Sequence, residues 1–247
     1  RMRIRRPSPS RAPSVSIIVP VVNEEQHIGS CLQSIAAQSL PPEVVVVDGG
    51  SSDATMVRAR EHQGVRVISS PPGRGIQIHA GLQQCTGDIV VILHADSRLQ
   101  PGALARMQHH LRRSAECVGG AFGAHYDSQC VRFRFTELLN NLRVTLSGIA
   151  FGDQAQFFRR EAIGDSFPPY LLMEDVELSL RLKEAGTVCF VRRGVISSVR
   201  GWRQRGFATN FVKVIGLTGL YLVKRRFGLL SADCAEFHRW YYGGMHV

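Results

Sequence analysis

The chain has 247 residues, 44% of them hydrophobic and 20% charged, and a formal net charge of +10. This is the length of one large domain or two small ones with a buried core, and the composition is that of an ordinary globular protein. The basic excess points to phosphorylated substrates, an anionic membrane surface or nucleic acid. With no zinc-finger spacing and no aromatic RNA-binding signature, nucleic acid ranks last.

Residues 1–13 hold Arg, Pro and Ser without periodicity and read as a disordered basic tail. Val15 to Pro20 reads as a buried strand. Asn23, with Gln26 three residues on, predicts a capping box for a helix carrying Ile28, Leu32 and Ile35 on one face. Glu43 to Val47 is a second buried strand that ends in Asp48-Gly49-Gly50-Ser51-Ser52-Asp53. A helix from about Asp53 to His62, a strand Val65–Ile68, a Pro/Gly loop around Arg74 and a helix Ile76–Cys85 follow.

Ile89 to Leu93 is a short, unbroken apolar run, as in a strand buried on both faces, and it delivers His94-Ala95-Asp96 at its carboxyl end. His94 and Asp96, two apart, share a face, where a carboxylate beside an imidazole could hold a divalent cation carrying phosphate oxygens. Strands alternating with helices imply right-handed crossovers and a mostly parallel central sheet flanked by helices. Beyond Pro101 the expected elements are a helix to about Arg113, a strand Cys117–Phe122 and a mixed stretch Cys130–Gly148. A strand Ala155–Phe158 then leads to a helix opened by Met173-Glu174-Asp175 and closed by Gly186, and to two short strands, Thr187–Val191 and Val195–Val199. Phe207 to Phe227 reads as a basic amphipathic helix. Its apolar stripe holds Phe207, Phe211, Val214, Ile215, Leu217, Leu220, Tyr221 and Leu222, flanked by Lys213, Lys224, Arg225 and Arg226.

Six cysteines without a C-x-x-C pair fit reduced thiols. With no apolar stretch of membrane-spanning length and no signal-peptide core at the start, the expectation is a cytoplasmic protein, at most peripheral at the inner face of a membrane.

Three acidic sites end elements: Asp48, Asp96 and the Glu174-Asp175 pair. Each alone has a bland explanation, as a turn, a helix start or a dipole-favoured first turn. The chain has no G-x-x-x-x-G-K-[ST], no complete G-x-G-x-x-G after a strand and no G-x-S-x-G elbow. Taken in order, Ser16-Ile17-Ile18-Val19-Pro20-Val21-Val22-Asn23-Glu24-Glu25, Val46 to Asp53, Gly87-Asp88, Leu93 to Ser97, Gly152 to Gln154 and Met173 to Ser179 resemble a family 2 glycosyltransferase of the GT-A fold. The resemblance covers about residues 14 to 200. It is closest to a small bacterial subgroup reading L-H-A-D-[ST], G-D-Q and M-E-D-[IV]-E-L-S.

The resemblance implies a catalytic domain over 14–205, with its nucleotide half to about residue 100, and a helix and tail over 206–247. It places Pro20, Glu24 and Asp48 at the base and ribose, Gly50, Ser51 and Asp53 in the loop that shapes that pocket, and Arg74 at the base or pyrophosphate. Asp96, the last position of the D-x-D motif, would bind Mg²⁺ or Mn²⁺ together with His94. Gly152, Asp153 and Gln154 would frame the donor sugar, Trp202 would help bind the diphosphate or acceptor, and Asp175 would be the general base with Glu174 beside it. His94 replaces the usual first aspartate of D-x-D, as across the subgroup, and an uncharged, softer ligand shifts metal preference toward Mn²⁺. His79 stands where many relatives have asparagine.

The implied reaction moves a sugar, with inversion, from a nucleoside-diphosphate sugar (UDP foremost) to an acceptor hydroxyl. Candidate acceptors include lipids and lipid-linked molecules. The 207–227 helix meets either a membrane surface or protein, a second subunit of a homodimer included. Two rivals stand beside this reading. A nucleotidylyltransferase would carry a Gly-rich, Lys/Arg-ended loop after the first strand, where Pro20 to Glu25 has none. The other is a non-catalytic nucleotide- or membrane-binding module on the same fold, an idea that rests on His94.

Overall fold

The computed structural model of the protein describes residues 13–164, 167, 169–231 and 234–243. The expected basic tail lies outside the described residues except for Pro13.

β1 (Val15–Val21) is buried at every position, as a strand with neighbours on both edges and helices on both faces must be. It pairs in parallel with β2 (Glu43–Asp48) on one side and with β4 (Ile89–Ile92) on the other, and β2 pairs in parallel with β3 (Val65–Ser69). The sheet has eight strands, in the order β3-β2-β1-β4-β7-β6-β8-β5. Here β5 is Ser97–Leu99, β6 Cys117–Tyr126, β7 Gln156–Arg159 and β8 Thr187–Ser197. β7 runs antiparallel between β4 and β6, β6 and β8 are parallel, and β5 closes the far edge antiparallel to β8.

Alternate residues feed two cores, one on each face of the sheet. Ile17, Val19, Val46 and Val91 pack with Ile28, Leu32 and Ile35 of α1 (Ile28–Ala36) and with Leu104 and Met107 of α4 (Ala103–Arg113). Ile18, Val45, Val47 and Val90 pack with Ile78 and Leu82 of α3 (Arg74–Gln84) and with Leu178 and Leu182 of α7 (Glu174–Ala185). Each strand of this parallel half therefore fills both layers, which explains its unbroken apolar runs.

Several expected elements differ in detail. α2 is shorter than expected, Thr55–Arg60. The capping box does not form: α1 starts at Ile28 behind His27. Asn23 sits at φ +53°, where its Oδ1 accepts the Ser52 N–H and so ties two loops together. The mixed stretch is one helix, α5 (Val131–Ser147). The two short strands after Thr187 are a single one. Between the pairings Phe122↔Val191 and Ala124↔Val195 the register shifts, so β8 bulges at the Arg192-Arg193-Gly194 interruption and then continues. Arg160–Ile163 forms a one-turn helix (α6).

At the C-terminal end come α8 (Arg200–Arg205), α9 (Phe207–Arg226) and α10 (Ala235–Tyr242). Leu217, Tyr221 and Phe237 bury themselves against Val176 of α7, Met173 and Leu172. Two of the cations expected to flank a free stripe hold this junction instead. Arg225 donates to Glu177 at 2.7 Å and to Glu184 at 2.8 Å, and Lys224 donates to Glu236 at 2.6 Å. Among the described residues no helix is long and apolar enough to cross a membrane.

Candidate active site

In the order β3-β2-β1-β4, the chain runs from β1 through β2 to β3 on one side and then crosses back to place β4 on the other side of β1. The crevice at the carboxyl ends of β1 and β4 is therefore the topological switch point of the sheet, where such folds place ligands. A cavity of about 480 Å³ opens there, lined by Pro20, Val21 and Val22 from the end of β1 and by His94, Ala95 and Asp96 from the end of β4. Glu24, Arg74, Gln77, Arg200 and His238 complete its polar wall. A second cavity, of about 190 Å³, shares Arg74, His94, Asp96, Gly201 and Tyr241 with the first. It adds Gly152, Asp153 and Asp175 together with Trp202 and the inner side of α9. The charged and titratable groups on which the two cavities meet are thus one carboxylate, one imidazole, one guanidinium and one phenol.

Charge in the first cavity is balanced within the protein. Arg200 donates to Glu24 Oε1 at 2.5 Å and lies 3.9 Å from Asp96 Oδ2. Burial pushes the Glu24 and Asp96 carboxyls above their usual range, while Arg200 pulls both back. Burial, with Arg74 adding to it, pulls His94 down to about 3. The imidazole is therefore neutral at physiological pH, the form a metal requires of a ligand. The donor set available to a cation here is the Asp96 carboxylate and the His94 nitrogens, and among the described residues no group of three or more His, Cys, Asp or Glu side chains is arranged to hold a metal ion by itself. That fits a Mg²⁺ or Mn²⁺ ion held by one or two protein ligands and by substrate phosphates. The Glu24 Oε2 atom, buried with no hydrogen-bond partner, is a further anionic oxygen on that wall.

Asp175 is presented by the first turn of α7, and four interactions hold it, one of them the Val176 N–H donating to its Oδ1 at 2.7 Å. Its Oδ2 accepts the Gly152 N–H at 2.8 Å, and its carbonyl accepts from Gln156 Nε2 and Ser179 Oγ, both at 3.0 Å. Glu174 points the other way, into the protein, with its Oε1 3.0 Å from Arg74 Nε. The contact is electrostatic only, because neither Glu174 oxygen meets hydrogen-bond geometry. Burial pushes Glu174 up to about 7 against the pull of Arg74. Arg74, itself desolvated, is held charged chiefly by Glu174. Asp153 accepts from Tyr126 Oη at 2.6 Å, and Asn140 Nδ2 donates to the same Oη at 2.9 Å. Its second oxygen is buried without a partner, and burial raises its pKa.

The structure thus gathers Pro20, Glu24, Arg74, His94, Asp96, Gly152, Asp153, Asp175 and Trp202 around the paired cavities. The remaining expected residues stand behind them. Asp48 accepts the Gly50 and Ser51 amides at 3.1 Å, with Gly50 at φ +101°. Ser51 Oγ accepts the Asn23 N–H and Asp53 accepts the Glu25 N–H, so this loop fastens the one after β1. Gln154 is fully buried and accepts from Arg143 at 2.8 Å. Sequence reasoning missed Tyr126, Asn140 and Arg143, which brace Asp153 and its turn, and also His238 on the cavity wall. Tyr126 lies four residues past the expected end of its strand, which the structure extends to it, so none of the four carried a sequence signal.

Residues 16–167 match the model of the family described as Glycosyl transferase family 2. An uncharacterized glycosyltransferase of Mycobacterium tuberculosis is 32% identical over 107 residues, 43% of this chain and 48% of the relative. The undecaprenyl-phosphate 4-deoxy-4-formamido-L-arabinose transferase of Pseudomonas fluorescens is 31% identical over 158 residues, 59% of this chain and 46% of the relative. The chain spans about half the length of these sequence relatives. Among solved structures, glucosyl-3-phosphoglycerate synthase from Mycobacterium tuberculosis, in complex with Mn²⁺, UDP and glucosyl-3-phosphoglycerate, superposes with a TM-score of 0.61 at 24% identity, over 89% of this chain and 81% of that one. The same synthase with Mn²⁺, UDP and phosphoglyceric acid gives 0.53 at 25% identity, over 73% and 68%. With its α/β sheet and switch-point cavity, the chain has the GT-A fold and belongs to glycosyl transferase family 2.

Proposed function

We propose that the protein transfers a sugar, with inversion, from a UDP-sugar to a hydroxyl of a lipid-linked acceptor. The observation that carries this reading is the pair of cavities joined at Arg74, His94 and Asp96, one also lined by Arg200 and Glu24 and the other holding Asp175. The cavity at the ends of β1 and β4 suits the nucleoside diphosphate. Arg74 and Arg200 face it, and fixed positive charge there stabilises the diphosphate as negative charge builds on it during departure. Asp96 and His94 would hold a Mg²⁺ or Mn²⁺ ion, which when bound neutralises charge on the leaving diphosphate. The synthase structures above contain such ions and UDP, which supports the same assignment here.

Asp175 takes the proton of the attacking hydroxyl. The Gly152 amide fixes its Oδ2, and Gln156 and Ser179 fix its backbone, so the carboxylate keeps its place as the acceptor enters. Asp153, with one oxygen unpartnered, offers an acceptor for a sugar hydroxyl. Glu174 serves as counter-ion to Arg74 from below. A lipid-linked acceptor is supported by the undecaprenyl-phosphate named in the P. fluorescens relative and by the apolar wall of the second cavity, to which Val214 and Leu217 contribute.

The test is Asp175→Asn. Nucleotide release from the donor falls by at least about 10³-fold while UDP affinity is unchanged. Turnover at the wild-type rate in this variant removes Asp175 as the base.

A further inference from the structure

α5 packs on the sheet through Phe133, Thr136, Asn140 and Val144 and leaves Val131, Phe135, Leu138, Leu142 and Leu146 between 47% and 81% exposed. Spacings of four, three, four and four residues put these five on one face of a helix about 25 Å long. A soluble surface seldom leaves so continuous an apolar strip bare. α9 does the same with Val212, Ile215, Leu220 and Val223, and Phe227 follows just beyond its end. The two helices meet where Phe133 packs edge-on against Phe207, with centroids 5.7 Å apart.

Charge selects what covers them. The one carboxylate of α5, Glu137, is buried against Arg134, and α9 has none. Arg132, Arg203, Lys213 and Arg226 are exposed on or between these helices, and none of them pairs with a carboxylate among the described residues. A second copy of the chain seated on this face would bring cations against cations. An anionic bilayer accepts the apolar strip at its headgroup boundary and neutralises the cations around it.

We propose that α5 and α9 together form a docking face for an anionic lipid bilayer. The opposite side of α9 supports this. Asn210, Val214, Leu217 and Thr218 line the cavity that holds Asp175, and Thr218 Oγ1 is buried there with no hydrogen-bond partner. Docking through α9 therefore leaves the acceptor-side cavity behind one helix, about 10 Å from the membrane surface. In this respect the inference deepens the reading of a lipid-linked acceptor and rests on it, although binding to the bilayer does not.

The experiment is co-sedimentation of the intact chain with vesicles of phosphatidylcholine alone and of phosphatidylcholine mixed with phosphatidylglycerol. The wild type sediments with the mixed vesicles. Leu138→Gln/Leu142→Gln, with unchanged thermal melting, binds them at least about tenfold more weakly. Arg132→Gln/Lys213→Gln weakens binding by about fivefold per charge removed. Three results overturn the proposal: no sedimentation of the wild type, equal sedimentation of the leucine variant, or a wild-type dimer that the leucine variant converts to monomer. Measuring UDP binding on the same samples separates the two claims. Vesicle binding without UDP binding ends the transferase reading and leaves the docking face standing.

Discussion

Gly152 is the point where Asp175, the proposed base, and the His94-Ala95-Asp96 segment meet, so Gly152→Ala tests their coupling. A Cβ built there would lie 2.2 Å from Cε1 and 2.5 Å from Nε2 of His94, whereas ordinary contact begins at 3.4 Å. About 1.2 Å must therefore be found by moving one of two things. If the imidazole yields, it swings into the cavity assigned to the nucleotide diphosphate. If the turn yields, the 2.8 Å bond from the Gly152 amide to Asp175 is stretched or lost. Overpacking of this kind costs about 1–3 kcal/mol of stability, which for a chain of this size lowers Tm by a few degrees. A displacement of about 1 Å at a positioned catalytic group costs about 10²-fold in rate. The assay is nucleoside diphosphate release from the sugar donor, run beside thermal melting. A Gly152→Ala variant that keeps wild-type release and wild-type Tm would refute the coupling of His94, Gly152 and Asp175.

Two further outcomes follow from the buried charges. Glu174 titrates at about 7 in the folded protein against an ordinary 4.5, so the folded state binds the extra proton between those values. Stability contributed by the protonated group is full below pH 4.5 and is lost as pH rises through 7. The stability difference between wild type and Glu174→Gln, measured by urea unfolding, therefore declines from pH 4.5 to 7 and then levels off, and a flat difference contradicts the placement of Glu174. Tyr126→Phe removes the hydroxyl that donates to Asp153 and leaves that buried carboxylate without its 2.6 Å partner. It should cost about 1–3 kcal/mol in urea unfolding, and an unchanged midpoint would show that Asp153 is satisfied in another way.

Much of this site was legible because it sits where apolar runs end. The strands β1, β2 and β4 are buried on both faces, so their last residues stand out as the first polar ones, and Asp96 and Glu24 fall at one crevice for that reason. The family motifs added Arg74, Gly152 to Gln154 and Asp175, which lie far apart in sequence and converge only through the order of the sheet. Local pattern misled where tertiary partners took over. Asn23 reads as a helix cap but spends its side chain on the Ser52 amide across two loops. Arg192-Arg193 reads as a strand break but is a bulge, because β6 continues to pair on both sides of it. The Asp48 carboxylate also accepts the Gly50 and Ser51 amides of its own turn, a pairing that shapes the loop beside the expected base and ribose pocket. The bond of Arg200 to Glu24 spans 176 residues and leaves no periodic trace. The stripe on α9 was visible, but its division into a buried edge at Leu217 and Tyr221 and an exposed edge at Val212 and Val223 depends on α7 and α10.

The central claim is that the crevice between β1 and β4 binds a nucleoside diphosphate through a cation held at Asp96. Calorimetric titration of the intact chain with UDP and GDP, in Mn²⁺ and again in excess chelator, tests it most directly. The expected result is saturable UDP binding that disappears with the chelator and is weakened at least about tenfold by Asp96→Asn. Well-folded protein that binds neither nucleotide, or binds UDP equally with and without the ion, would contradict it.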